Sequence, residues 1–511
     1  MPVRVGEQLS LEDVVSVARG DSVELGEAPR GRMRAARELV DRKVASADTV
    51  YGVTTGIGSL ASVRIPPEQA ARLQEDIVKS HATAVGSPLS RGETRAMLLL
   101  RAHVLALGYS GVRIELVERM IDMLNRDVLP AVPEQGSLGA SGDLAPLAHL
   151  ALPLIGLGEI LATQPGTATR SSGPALREAG LDPIPLQPKE GPALVNGTQG
   201  MVAIGVLALA RAEALARAAD VTAAMSVEAA LGTDRAFDER LQRLRPHPGQ
   251  AVSARNLRAL MAGSEILASH RESGHLVQDA YSLRCAPQVH GATRDVLSFV
   301  REVLGREIAS VSDNPVVLPG DGEIVSGGNF HGQPVAVALD ALASSIVSLA
   351  GISERRLYRL LDPALSNGLP PFLVEDSGLN SGFMLVQYTA ASLVSESKWL
   401  AHPASVDSIV SSAGQEDHVS MGMTSARHAR ECVANAEIVV ALEAMAAAQA
   451  LDLRAPLRPG TGTAAARSAV REAVPFLDRD REIRLDIEAA TELVRSGGLA
   501  AAASDSGVEI S

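Results

Sequence analysis

Over the first two hundred residues, apolar positions come in short runs at helical spacing, separated by polar and glycine-rich breaks. A recurrence near three to four residues marks one buried face of a helix. Ser10-Leu11-Glu12-Asp13 has the form of a capping box and predicts a short first helix, with a second over Arg32 to Val44. Thr49 to Leu60 reads as a strand-like piece running into a glycine-rich loop. Helix is predicted from Pro66 to Val85, from the capping box Ser90-Arg91-Gly92-Glu93 to about Leu107, and over Ile114 to Val128. A loop covers Pro130 to Gly142. Helix resumes from Asp143 to Leu161 with an interruption near Pro153, and Pro165 to Pro188 reads as an irregular connection.

The pattern changes at Asn196. Thr198 to Leu231, Gln333 to Leu361, Gly382 to Leu400 and His418 to Ala450 are apolar around most of a helical circumference. Such helices must be buried among other helices, and their length points to a bundle. The expected fold is mostly α. A head domain spans 1–195, and a long-helix bundle spans 196–511 with a frayed tail from Gly497.

Composition narrows the function. Aromatic residues make up 2% of the chain, which favours helix packed on helix, and the net charge is −13. No basic tract offers a surface to nucleic acid or to an anionic membrane. Two cysteines, Cys285 and Cys432, supply neither a disulfide framework nor a metal cluster, so no metal is expected. The start Met-Pro-Val-Arg-Val-Gly-Glu lacks an apolar signal core, and no uninterrupted apolar run reaches the ~18 residues of a membrane span. A cytoplasmic protein is expected. Only four of the 47 basic residues are lysines, Lys43, Lys79, Lys189 and Lys398, of which Lys79 and Lys189 stand where a Schiff-base lysine is conceivable.

The candidate chemistry centres on Gly139-Ala140-Ser141-Gly142-Asp143-Leu144. Ser141 or Asp143 suits the cap of the apolar run that follows. A chemical reading stands beside it: the Gly142 amide, free of a side chain, can approach the Ala140 carbonyl and close a ring. Loss of water from Ser141 then leaves an electrophilic methylene. Gly56-Ile57-Gly58-Ser59-Leu60-Ala61 fits a dinucleotide fingerprint only without its βαβ surroundings, and neither a P-loop nor a zincin motif occurs.

Short polar clusters lie between the long apolar helices: Tyr51 to Gly56, Ser80-His81, Val195 to Gln199, Gln278 to Arg284, Gly327 to His331 and Gln415 to His418. Each has an ordinary structural reading. Asn196 and Glu416 suit caps for the helices after them, the tyrosines suit buried positions with satisfied hydroxyls, and Arg284 suits a pair with Asp279.

Taken together and in this order, the clusters and the stretch ASGDLAPLAH resemble the aromatic amino acid ammonia-lyases and aminomutases, over about Tyr51 to Ala450. The resemblance implies that Ala140-Ser141-Gly142 cyclises unaided into 4-methylidene-imidazol-5-one, with no external cofactor. It also implies a homotetramer whose active sites are shared between subunits. By the same resemblance Tyr51 is the base for the β-proton, and Asn196 and Tyr281 hold the ring and the substrate amine with Gln278 beside them. Arg284 clamps the carboxylate, a task for a guanidinium fork, and Phe330 packs by the ring. Asn329 and Gln288 match supporting polar positions.

Ser80-His81 with Glu416 resembles the histidine-selective branch, where the carboxylate accepts the imidazole N–H. The implied activity is deamination of L-histidine to trans-urocanate and ammonia, the first step of histidine degradation. The alternative within the family is a tyrosine or phenylalanine lyase or aminomutase. A catalytically silent scaffold would need neither Ala-Ser-Gly nor Tyr51. Thr54 and Ile57 stand where the family has Asn and Phe, Gly414 replaces an Asn, and His290 replaces an apolar residue.

Overall fold

The computed structural model describes residues 2–46, 48–162, 168–273 and 277–511. The fold is mostly α. Two compact units share the chain: one holds Met1–Leu207, Arg301–Asp340 and Pro403–Arg427, and the other Ala208–Val300, Ala341–His402 and His428–Ser511.

In the first unit the predicted capping boxes start their helices. Ser10 accepts from the Asp13 amide at 3.1 Å while Asp13 accepts from the Ser10 amide at 2.9 Å, opening Leu11–Arg19. Ser90 and Glu93 do the same for Arg91–Ala106. That second helix is buried on every side from Glu93 to Ala106. Among the described residues, strands occur as two-stranded ribbons. Val3–Val5 pairs in parallel with Val23–Leu25, and Val85–Pro88 runs antiparallel to Pro133–Gln135. Glu159–Leu161 with Thr169–Ser171 and Val316–Leu318 with Glu323–Val325 are also antiparallel.

Four long helices follow the apolar stretches: Gln199–Ala229, Gln333–Leu361, Met384–Leu400 and Gly422–Asp452. A fifth, Ala286–Ile308, was not among the predicted long helices. Gln333–Leu361 is apolar and long enough to cross a bilayer, yet 56% of its most apolar window is buried within the protein, as befits a core helix.

Several expectations are corrected. Thr49 to Leu60 forms turns and a short 3-10 helix at Gly58–Leu60 rather than a strand, because its hydrogen bonds run locally through Thr54 and Thr55. The helix expected over Asp143 to Leu161 is confined to Ala145–Ala151; it passes into a 3-10 turn at Leu152–Ile155, where Pro153 lacks a donor, and then into strand. The connection from Pro165 contains the strand Thr169–Ser171 and the helix Ser172–Glu178, while its first three residues lie outside the described residues. The tail is not frayed: Gly498–Asp505 is helical and buries Leu499, Ala500 and Ala503, in contact with the helix Thr461–Ala473.

Candidate active site

The stretch 139–144 is held in a conformation that most residues avoid. Gly139, Ser141, Gly142 and Leu144 all have positive φ, at 74°, 52°, 79° and 45°. For Ser141 and Leu144 this is backbone strain, which persists only where surroundings over-determine it. Those surroundings are visible. The Asp143 amide donates to the Gly197 carbonyl at 2.7 Å, and the Gly197 amide donates to the Ser141 carbonyl at 3.3 Å. On the other side the Met421 amide donates to the Leu138 carbonyl at 2.9 Å. Position 142 must be glycine, since a Cβ there would stand 2.0 Å from the Gly197 carbonyl oxygen.

Asp143 does not cap the helix after it, where Leu144 occupies the cap position with no side-chain bond. Its buried carboxylate instead accepts from the Gly200 amide at 2.5 Å and the Met201 amide at 3.3 Å, capping the long helix Gln199–Ala229. Burial pushes this carboxyl up to about 7, against the pull of those amides and of Arg101. Arg101 is fully buried, and its fork donates to Gln199 at 2.7 Å and to the Ala193 carbonyl. Sequence reasoning passed over Arg101, although an arginine set between Leu98-Leu99-Leu100 and Val104-Leu105 was a signal. Lys189 is engaged in a fully buried ion pair with Asp313 at 2.9 Å, and Lys79 pairs with Glu75.

A cavity of about 280 Å³ lies against this stretch, lined by Ser141, Leu144, Tyr51, Ile57 to Leu60, Ile77, His81, Pro192, Val195, Asn196, Ser412 and Glu416. Tyr51 is half-buried, and its hydroxyl oxygen accepts from the Gly58 amide at 2.8 Å. Thr54, which stands where the resemblance expects Asn, closes the same turn: its hydroxyl donates to the Asp48 carbonyl at 2.6 Å and accepts from the Val50 amide at 2.9 Å. His81 Nδ1 sits 2.8 Å from the Ile77 carbonyl. A carbonyl only accepts, so the proton belongs on Nδ1 and Nε2 is left as an acceptor.

Asn196 is buried and donates to the Asn314 carbonyl at 3.1 Å; it ends the helix Glu190–Val195 rather than capping the long helix that starts at Gln199. Glu416 is not a cap either, because the next helix begins at Gly422. It is half-buried rather than buried, and it accepts from the Ser411 hydroxyl at 3.0 Å across a tight turn strained at Ser412 and Ala413. Ser411 and Ser412 were not singled out by sequence reasoning.

Ala140 is buried in the strained stretch. Phe330 is half-buried, Asn329 is exposed, and neither lines this cavity. Gln278, Tyr281 and Arg284 belong to the second unit. Gln278 there lines a smaller cavity of about 130 Å³ with Asp279 and Arg235. Tyr281 is 70% exposed, with the Arg284 guanidinium 4.6 Å over its ring. Asp279 accepts from the Thr233 amide at 2.7 Å and makes no ion pair with Arg284.

A strained Ala-Ser-Gly beside a tyrosine, a histidine and a glutamate invites comparison with known proteins. A family model described as "Aromatic amino acid lyase" matches residues 9–472. The histidine ammonia-lyase of Anaeromyxobacter sp. (strain K) is 57% identical over 500 residues, covering 97% of this chain and 98% of that protein. The crystal structure of histidine ammonia-lyase from Trypanosoma cruzi has a TM-score of 0.91 at 44% identity, covering 99% of this chain and 96% of the other. The structure of tyrosine aminomutase from Streptomyces globisporus has a TM-score of 0.94 at 38% identity and covers 100% of both chains. Matched along nearly its whole length in sequence and in fold, the chain belongs to the aromatic amino acid lyase family.

Proposed function

We propose that this protein deaminates L-histidine to trans-urocanate and ammonia, with a 4-methylidene-imidazol-5-one formed from Ala140, Ser141 and Gly142. The observation that carries the reading is one cavity lined together by Ser141, Tyr51, His81, Asn196 and Glu416. The residues fit the group. The backbone at 141 and 142 is already bent into positive φ, and Gly142 leaves no side chain between its amide and its neighbours. When formed, the group supplies the electrophile that turns the substrate's amine into a leaving group.

The other steps fall to side chains. Tyr51 takes the β-proton, with its oxygen located by the Gly58 amide. Glu416, steadied by Ser411, accepts the imidazole N–H of the substrate, and His81 lines the same cavity. A phenyl ring in this place leaves the carboxylate unpaired, which costs about 1–3 kcal/mol and disfavours phenylalanine. Asn196 and Tyr281 hold the amine, with Gln278 alongside, while Arg284 clamps the carboxylate and Phe330 packs by the substrate. In this reading Gln278, Tyr281, Arg284 and Phe330 complete the site from other copies of the chain in a homotetramer. Localisation in the cytoplasm accompanies this metabolic role.

The test is incubation with histidine, tyrosine and phenylalanine in turn, following the conjugated acid by ultraviolet absorbance and ammonia by coupled assay. Histidine is expected to be turned over fastest. A preference for tyrosine or phenylalanine would replace this reading with the lyase alternative for that substrate, and accumulation of a β-amino acid with the aminomutase.

A further inference from the structure

The interior of the second unit carries a polar relay that the reaction itself does not use. Glu443, fully buried, receives both prongs of Arg356, from Nε at 2.5 Å and from Nη2 at 2.9 Å. The hydroxyls of Ser226 and Ser353 donate to it at 2.6 Å each, and that of Thr222 at 3.3 Å. The remaining nitrogen of Arg356, Nη1, points two ways: to the Ser282 carbonyl at 3.4 Å and to His290 Nε2 at 3.3 Å. His290 is buried, and its Nδ1 lies 2.7 Å from Asp220. Asp220 also accepts from Ser253, Asn256 and Arg294 at 2.6, 2.9 and 2.7 Å. Arg356 can only donate and an ionised Asp220 can only accept, so His290 is neutral with its proton on Nδ1. Burial opposes ionisation of Asp220, yet Arg294, His290 and Ser253 together hold it well below the usual carboxylate range.

Net stability is a poor account of such a relay. Desolvation offsets most of the gain from a buried ion pair, and well-packed apolar residues often serve as well. A buried network with this many mutual bonds does fix geometry, although Arg294 Nε makes none of them. What lies at its end is the turn Tyr281–Arg284, which runs directly into the helix Ala286–Ile308. The Cys285 amide bonds the Tyr281 carbonyl at 2.9 Å, and the Val289 amide bonds the Cys285 carbonyl at 3.2 Å. His290 and Arg294, one turn apart on that helix, both hold Asp220, while Arg356 reaches back to the carbonyl of Ser282. The exposed Tyr281 and the Arg284 stacked on it therefore project from a turn that is fixed from behind.

We propose that Arg356 and His290 are positioning residues for Tyr281 and Arg284. The relay Glu443–Arg356–His290–Asp220 sets, through the Ser282 carbonyl and the first turns of the following helix, the direction in which that pair meets the amino acid. The roles of Tyr281 and Arg284 rest on the function proposed above; the clamp on their turn does not.

Arg356→Lys in the full-length protein keeps a charge for Glu443, but one ammonium cannot grip both carboxylate oxygens and reach Ser282. The expected result is a KM for histidine raised about tenfold, as for loss of a bond to a charged group, with a smaller change in kcat. The mass loss at Ser141 should be unchanged, and amide exchange across 282–285 should be faster. In an Arg284→Ala background the same substitution should add far less than its full factor, because it acts through that residue. His290→Leu should behave like Arg356→Lys, whereas His290→Gln, which retains one donor and one acceptor, should recover most of the loss. Unchanged exchange at 282–285, or factors for Arg356→Lys and Arg284→Ala that simply multiply, would overturn the proposal. Should the wild type release no ammonia from histidine, the functional reading fails instead. Exchange at 282–285 then decides the clamp alone, faster supporting it and unchanged overturning it.

Discussion

Two loops line the same cavity and are built in opposite ways. The stretch 139–144 is bent into positive φ and gripped by backbone bonds with Gly197, and just before it at Leu138 by Met421, with glycine at the closest approach. The stretch 51–60 is tied to itself and to its near neighbours in sequence, through Thr54, Thr55 and the Tyr51 hydroxyl; it buries Gly52 to Gly56 and leaves Leu60 60% exposed. In the reaction proposed above the difference matches two tasks. A ring made from backbone needs strain held by surroundings that do not yield. A base that meets a changing substrate needs its oxygen located, which local bonds supply, while the exposed end of the stretch at Ser59 and Leu60 can open at low cost. Substitutions in the first loop should destroy the chemistry, while those in the second should slow it.

The sharpest break of that comparison is at the rigid loop. Ser141→Ala should fold yet fall to background activity, and its intact mass should equal the translated sequence, where the wild type should be one or two waters lighter. Gly142→Ala should lose the mass deficit as well, because its methyl meets the Gly197 carbonyl. A wild-type mass equal to the translated sequence would remove the ring from the account.

On the other loop, Tyr51→Phe should retain the mass deficit and lower kcat by roughly 10²- to 10⁴-fold, the usual worth of a general base. A loss confined to KM would make Tyr51 a binding residue instead. Next in size comes the turn that holds Glu416. Glu416→Gln should cut kcat/KM for histidine by about ten- to a hundredfold through loss of a charge-assisted bond. Tyrosine and phenylalanine should gain relative to histidine, and an unchanged ratio would detach Glu416 from substrate choice.

The last expected effect leaves turnover aside and is one of stability. With its folded pKa pushed up to about 7 by burial, Asp143 favours the fold when protonated. That contribution is complete below the unfolded carboxylate pKa and is lost as pH rises through 7. Relative to Asp143→Asn, the wild type should therefore lose about 1 kcal/mol per pH unit across that window. Denaturant unfolding at several pH values checks the slope, and parallel curves for the two proteins would show Asp143 already ionised.

By itself the sequence determined the helical class, the long apolar helices and the two capping boxes, because each is a local matter of period or of residues three apart. Gln333–Leu361 was legible to the residue. Ordered motifs identified the family and named Tyr51, Ser141, Asn196 and Glu416 as candidates. Sequence could not show that Asp143 caps a helix starting fifty-six residues later, or that Arg101 reaches Gln199 from inside an apolar helix. Nor could it show the helical tail, whose Leu499, Ala500 and Ala503 become buried only once the rest of the unit is there to cover them. Tertiary structure alone decided these, since a buried polar group must find its partner wherever the fold brings one within about 3 Å, and that distance in space has no counterpart in local sequence.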